Sequence, residues 1–201
     1  MISDPEIVDL AAATYVNFQW DYFYKNDKVY CGVKHVNGIA VAAFRGSVTT
    51  PDWLHDLDAL PYQTPDIGTI HMGFYEGVAD AVPALLPQLK GPLVITGHSL
   101  GAAHAALFAG KLTASGMPVS RLVLCGSPRP GFSRLASILV PIPKASYKNR
   151  VDPVTFLPSD PPYMHVCPFT MVNVEPPLSD LDPLADHSIF RYQQGVRAVW
   201  K

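Results

Sequence analysis

The chain is poor in charge and has no long hydrophobic run. Charged side chains make up only 16% of the 201 residues, and the formal net charge is −2. This balance provides neither a basic field for nucleic acid nor a polybasic patch for a membrane surface. No apolar run approaches the length that is needed to cross a bilayer. These absences argue against binding of nucleic acid and against a membrane-spanning protein.

Cysteine is also scarce, so no disulfide framework is expected. The three cysteines, Cys31, Cys125 and Cys167, cannot all pair with one another. Cys31 and Cys125 lie in apolar, strand-like runs, which favours buried free thiols.

The first residues lack the features of a signal peptide. They carry Asp4, Glu6 and Asp9, where a signal peptide would carry positive charge followed by an apolar stretch. We therefore expect a cytoplasmic or leaderless protein.

Patterns that hold cofactors are missing as well. The histidines show no metal-ligand spacing, and no glycine-rich loop is placed to cradle a phosphate. We expect no metal and no organic cofactor.

The length and the hydrophobic content of the chain suit one domain over residues 1–201. Hydrophobic residues make up 48% of the chain, and a chain of this size can bury about 70% of its unfolded surface. The patterns predict helices at 4–18, 74–89 (interrupted at Pro83), 102–112 and 188–200, and strands at 28–34, 39–44, 92–96, 121–125, 144–149 and within 164–174. This alternation predicts an α/β fold, with a mostly parallel sheet covered by helices on both faces.

The most specific motif is Gly97-His98-Ser99-Leu100-Gly101, between a buried-strand pattern and an alanine-rich helical one. A G-x-S-x-G sequence in that setting is the nucleophile elbow of α/β-hydrolases. Gly97 and Gly101 leave room for a sharp turn, and Ser99 stands at its apex. A glycine-flanked serine in an ordinary loop is the alternative, which the flanking strand and helix disfavour. We interpret Ser99 as a nucleophile.

A serine nucleophile needs a base and an acid to orient that base. In this fold the chain order is Ser, then Asp or Glu, then His. His187 opens the last helix after a loop, and Asp152 follows the strand at 144–149, so we prefer these two as base and acid. His165 lies in a strand-like run and is interpreted as structural. Four other aspartates are interpreted as solvated surface: Asp160, Asp180, Asp182 and Asp186.

An oxyanion hole also needs two donors. One is the backbone N–H of the residue that follows the nucleophile, here Leu100. The strand at 39–44 runs into Arg45-Gly46-Ser47, where Ser47 offers both an N–H and a hydroxyl as the second donor.

With these pieces in order, the sequence resembles the class 3 (fungal-type) lipases and their feruloyl-esterase relatives. The matching segments are Phe44–Ser47, Asp52–Leu57, His71–Phe74, Gly97–Gly101, Gly126–Gly131, Asn149–Val154 and His187. The resemblance implies an α/β-hydrolase fold with Ser99, Asp152 and His187 as the triad. It implies that Ser47 and Leu100 are the oxyanion donors and that Asp56 holds the Ser47 hydroxyl.

The segment after Ser47 has an apolar face that includes Trp53, Leu54 and Leu57. By periodicity alone it is a surface helix packed permanently on the core. Its position beside Ser47 and the family resemblance favour instead a lid over an acyl pocket, with transient contact to a lipid surface. Modest interfacial activation and a preference for short or medium acyl chains are expected.

These observations predict a serine carboxylic-ester hydrolase that works through an acyl-enzyme and acts on an ester or lipid. A feruloyl or polyester esterase and an acyltransferase would use the same triad, and they remain alternatives. A non-catalytic binding module on this fold would require a decayed triad, whereas the triad residues are present.

Overall fold

A seven-stranded sheet forms the centre of the structure, a computed structural model that describes residues 2–47, 60–177, 180, 182 and 184–200. The strands are β1 (Tyr22–Lys25), β2 (Tyr30–Val36), β3 (Ile39–Phe44), β4 (Pro61–Thr64), β5 (Gly68–His71), β6 (Leu93–His98), β7 (Arg121–Cys125), β8 (Lys144–Lys148) and β9 (Phe169–Met171). The α-helices are α1 (Asp4–Ala13), α2 (Met72–Tyr75), α3 (Val78–Leu85), α4 (Leu100–Ala114), α5 (Ser133–Ile138) and α6 (Ile189–Val199). Short 3₁₀ turns cover Leu86–Gln88, Pro153–Phe156 and Ala185–His187.

The strand order in the sheet is β1-β2-β3-β6-β7-β8-β9, while β4 and β5 form a separate hairpin. β1, β2 and β3 pair antiparallel, and every later neighbour pairs parallel. The predicted mostly parallel sheet is therefore confirmed. The register pairs Phe44 with Gly97 and His98 with Cys125, so the carboxyl ends of the three central strands meet at one edge.

Helices cover both faces of this sheet, as the sequence predicted. Along β3, Val41 and Ala43 belong to the core beneath α1 and α6. Ala42 and Phe44 belong to the opposite core, which α4 covers. The alternation follows from the two-residue period of a strand. Because both faces are covered, β3 is apolar throughout rather than alternating with polar residues.

Several boundaries differ from the expected ones. The first helix ends at Ala13 instead of continuing to residue 18. The helix expected at 74–89 is interrupted at Gly77 rather than at Pro83, because Gly77 has φ +82°, which a right-handed helix cannot continue. Pro83 lies inside α3. The β4–β5 hairpin was not predicted.

The turn from β6 into α4 has the sharp geometry that the elbow motif predicted. Ser99 adopts φ 61° and ψ −133°, a conformation that is strained for a residue with a side chain. A Cβ on Gly97 would lie 2.2 Å from the Gly101 carbonyl oxygen, and one on Gly101 would lie 2.2 Å from that of Phe44. Both glycines are therefore required by close backbone approach.

Adding a methyl group at the elbow tests this packing. We expect Gly101→Ala to lower the free energy of unfolding by about 3 kcal/mol, because the new Cβ meets backbone that cannot move aside. Urea denaturation measures this change. Gly73→Ala is the matched control, since its Cβ would lie 3.3 Å from the edge of the His71 ring, and we expect a change within about 1 kcal/mol. Equal losses in the two variants would contradict the account of the elbow.

Candidate active site

Asp152 and His187 meet at the carboxyl edge of the sheet. Asp152 follows β8, and His187 ends the 3₁₀ turn before α6. The Nδ1 of His187 lies 2.7 Å from the Oδ2 of Asp152, and both residues are buried. A carboxylate can only accept, so Nδ1 carries the proton of this hydrogen bond. In a neutral His187, Nε2 then keeps a free lone pair.

Ser99 lies at the same edge with its hydroxyl unengaged. Its Oγ and the Nε2 of His187 are both buried, and neither has a hydrogen-bond partner among the described residues. Ser99 and His187 line one cavity of about 430 Å³. The structure thus brings together the three side chains that the sequence proposed as a triad.

The carboxylate of Asp152 has further donors that fix its orientation. Its Oδ1 accepts the Val154 N–H at 2.9 Å, and its Oδ2 also accepts the Tyr192 hydroxyl at 2.5 Å. The oxygen of Tyr192 accepts the Asn149 N–H at 3.1 Å. Burial, followed by the Asp152 charge, raises the pKa of Tyr192 well above its usual value. Tyr192 therefore keeps its proton and remains a donor.

Tyr192 was not among the residues that the sequence indicated. The residue lies five positions after His187 on α6, and its side chain is fully buried. A buried tyrosine normally finds a partner for its hydroxyl. That rule could have drawn attention to it, although the sequence does not indicate which partner.

Ser47 borders the same cavity as Ser99 and His187. With Leu100 it also borders a second cavity of about 200 Å³. Leu100 is the first residue of α4, where an N–H has no acceptor within the helix. The neighbouring N–H of Gly46 already donates to the Tyr15 hydroxyl at 2.9 Å. Of these two neighbours, Ser47 therefore remains the candidate for the second donor.

His165 lies in a different environment from His187. Its Nε2 is 2.9 Å from the Thr155 carbonyl oxygen, and its ring packs edge-on against Phe169. Burial, then the Arg129 charge, lowers the pKa of His165 to about 4. It lies in a loop rather than in the expected strand, with the hydrogen bond expected of a structural histidine.

The expectation that Asp186 is solvated surface is wrong. Asp186 is 8% exposed, and its Oδ1 lies 3.3 Å from the Nε of Arg150. Its other oxygen accepts the Val151 N–H at 3.4 Å. Burial is tolerated here because the charge is paired.

Four predicted site residues, Trp53, Leu54, Asp56 and Leu57, lie outside the described residues. Cys31 and Cys125 are buried free thiols, as expected. Within the described part of the chain, no group of three or more His, Cys, Asp or Glu side chains could hold a metal ion. None of the helices described here is long and apolar enough to cross a bilayer.

Known proteins resemble this chain in sequence over most of its length. The secreted mono- and diacylglycerol lipase A of Penicillium cyclopium is 33% identical over 152 residues, which cover 69% of this chain and 50% of that protein. A lipase of Rhizomucor miehei is 35% identical over 131 residues, covering 57% and 36% of the two chains. The chain thus spans about half or less of the length of these curated relatives.

Solved structures extend the likeness to the fold. A mutant form of MDLA from Penicillium cyclopium superimposes with a TM-score of 0.71 at 26% identity, covering 92% of this chain and 83% of that one. A lipase from Rhizopus microsporus var. chinensis gives a TM-score of 0.74 at 18% identity, with coverage of 86% and 75%. The predicted α/β-hydrolase fold is confirmed.

The relatives also correct one expectation. A cytoplasmic or leaderless protein was expected from the acidic residues near position 4, whereas the Penicillium cyclopium relative and one from Gibberella zeae are named secreted lipases. That expectation is wrong.

The family assignment rests on a match longer than any single motif. The sequence model of the family described as "Lipase (class 3)" matches residues 41–161, more than half of the chain. This segment includes the elbow, Ser47 and Asp152. The chain belongs to the class 3 lipase family.

Proposed function

We propose that this chain is a serine carboxylic-ester hydrolase in which Ser99 is the nucleophile, His187 the base and Asp152 the acid. The observation that carries the proposal is the 2.7 Å hydrogen bond from His187 to Asp152. Among the described residues, the Nε2 of His187 and the Ser99 hydroxyl have no hydrogen-bond partner, and both side chains line the same cavity. Activation of a serine requires a histidine with one ring nitrogen bonded to an acid and the other nitrogen able to take the serine proton.

The chemistry follows from these positions. Ser99 Oγ attacks the ester carbonyl while the Nε2 of His187 takes its proton, and Asp152 stabilises the imidazolium that forms. The alkoxide is bound by the Leu100 N–H at the positive end of α4 and by Ser47. The ester C–O bond then breaks, and the proton on His187 goes to the departing alcohol. Water, deprotonated by His187, then attacks the acyl carbonyl; the bond to Ser99 Oγ breaks, and His187 returns the proton to Oγ as the acid leaves.

The substrates that we propose are acylglycerols that keep a free hydroxyl. Two Penicillium relatives are named mono- and diacylglycerol lipases. The lining of the larger cavity combines apolar side chains, including Ile189 and Phe190, with the polar side chains of Asp180, Ser188 and Arg191. The apolar part suits an acyl chain, and the polar part suits a glycerol hydroxyl.

The place of action that we propose is outside the cell, at a lipid surface, in keeping with the names of the secreted relatives. The lid role of the segment with Trp53, Leu54 and Leu57, and the hold of Asp56 on Ser47, remain predictions from sequence.

Variants of three residues test the catalytic proposal. We expect Ser99→Ala to lower turnover of a dissolved p-nitrophenyl ester by about 10⁶-fold, because it removes the nucleophile. His187→Ala should be nearly as damaging, because no base remains to activate Ser99. His165→Ala is the matched control and should affect stability more than turnover per folded molecule. Steady-state kinetics on folded, purified protein, with folding checked by circular dichroism, measure these changes.

Substantial turnover by a folded Ser99→Ala protein would contradict the proposal. An exchange of the two histidine phenotypes would show that the base has been misassigned.

The proposed substrate class has its own test. With one medium-length acyl chain throughout, we expect kcat/KM for the mono- or diacylglycerol to exceed that for the triacylglycerol by about tenfold, because a free hydroxyl can bond to the polar lining. The rates are measured by titrating the fatty acid that is released. Faster turnover of the triacylglycerol would contradict the substrate class and leave the triad untouched.

A further inference from the structure

The ring of His98 lies between two segments that border the candidate site. Its Nδ1 is 2.8 Å from the Tyr15 hydroxyl, and its Nε2 is 2.8 Å from the main-chain carbonyl oxygen of His187. The same Tyr15 hydroxyl accepts the Gly46 N–H at 2.9 Å. One chain of hydrogen bonds therefore connects the segment before Ser47 with the backbone of His187.

Donor and acceptor roles in this chain are fixed by chemistry. The His187 carbonyl can only accept, so the Nε2 of His98 carries a proton. In a neutral imidazole Nδ1 is then the acceptor, and it receives the proton of the Tyr15 hydroxyl. The Tyr15 oxygen keeps a lone pair for the Gly46 N–H. All three hydrogen bonds point the same way, from Gly46 to His187.

The protonation states agree with this direction. Burial, and then the nearby His187, hold the pKa of His98 well below its usual value. Burial likewise raises the pKa of Tyr15. His98 thus stays neutral and Tyr15 stays protonated. The ring centroids of His98 and His187 are 4.6 Å apart. A neutral His98 matters because a cationic one would oppose the imidazolium that catalysis requires on His187.

We propose that Tyr15 and His98 are positioning residues. They hold the oxyanion segment, Gly46–Ser47, and the catalytic base His187 at fixed positions relative to Ser99. The proposal rests on the proposed function, because it assigns Ser47 and His187 the roles given above. Tyr15 and His98 act through hydrogen bonds to the backbone of Gly46 and His187, and neither needs to exchange a proton with the substrate.

A close backbone approach supports the same reading. A Cβ on Gly46 would lie 2.5 Å from the Tyr15 hydroxyl oxygen and 2.7 Å from the Cβ of Ser99. Gly46 therefore packs closely against both Ser99 and the Tyr15 hydroxyl that accepts its N–H. A small shift of Gly46 would change the distance from Ser47 to the developing oxyanion, which lowers kcat more than it raises KM.

Removal of one hydroxyl tests the proposal. We expect Tyr15→Phe to keep the packing of the ring, to lower kcat on a p-nitrophenyl ester about tenfold, and to leave KM within about twofold. Tyr147→Phe is the matched control, since that hydroxyl donates to buried Asp4 at 2.6 Å and is not a member of this chain of bonds. It should lower the melting temperature and leave kcat unchanged.

Two further measurements separate positioning from stability. In a Ser47→Ala background, Tyr15→Phe should cost less than in the native chain, because both changes impair the same donor. His98→Gln, whose amide N–H can still reach the His187 carbonyl, should retain more of kcat than His98→Leu. This comparison remains decisive if Tyr15→Phe does not fold.

The outcomes distinguish the two proposals. An unchanged kcat in folded Tyr15→Phe, or full additivity with Ser47→Ala, would overturn the positioning role while the native chain still hydrolyses esters. Equal kcat values for His98→Gln and His98→Leu would overturn it as well. A native chain that hydrolyses no ester would instead overturn the proposed function.

Discussion

The backbone turn at Ser99 is the constraint on which the rest of the site depends. A residue with a side chain held at φ 61° costs about 1–3 kcal/mol, and it persists only where its surroundings determine it. The contacts of Gly97 with Gly101 and of Gly101 with Phe44 supply that determination. α4 begins at Leu100, directly after this turn, and His98 directly precedes it. The proposed nucleophile, one proposed oxyanion donor and one proposed positioning residue thus follow from one local geometry.

The second half of the site comes from segments that the turn does not control. His98 joins the backbone of His187 to the elbow, and the Tyr192 hydroxyl joins Asp152 to the backbone of Asn149. These contacts link residues far apart in sequence, and most are buried, where an unpaired polar group would be costly. Hydrogen bonds in the interior around the site therefore hold His187, Asp152 and the backbone of Gly46 together.

Local signals explain which features were predictable. The elbow was predictable because its strand, glycines and helix are contiguous in the sequence. Asp152 and His187 were selected with the help of the chain order Ser, acid, His. Tyr15 and Tyr192 were not predictable, because their partners lie on distant segments. Asp186 was misread because its burial depends on Arg150, a tertiary contact. Asp4 and Glu6, which led us to expect a cytoplasmic or leaderless protein, have a role in the folded α1. Asp4 pairs with Arg121, and Glu6 accepts a hydrogen bond from the Ser3 N–H at the start of the helix.

Covalent labelling tests the central claim most directly, which is that the elbow presents a serine activated by His187. The protein would be treated with a fluorophosphonate, and the modified residue located by peptide mass spectrometry. We predict one adduct, on Ser99, formed at similar rates by the native chain and by His165→Ala. In His187→Ala the rate should fall at least about a hundredfold, because the general base is lost. An adduct on another residue, or an undiminished rate in His187→Ala, would contradict the account.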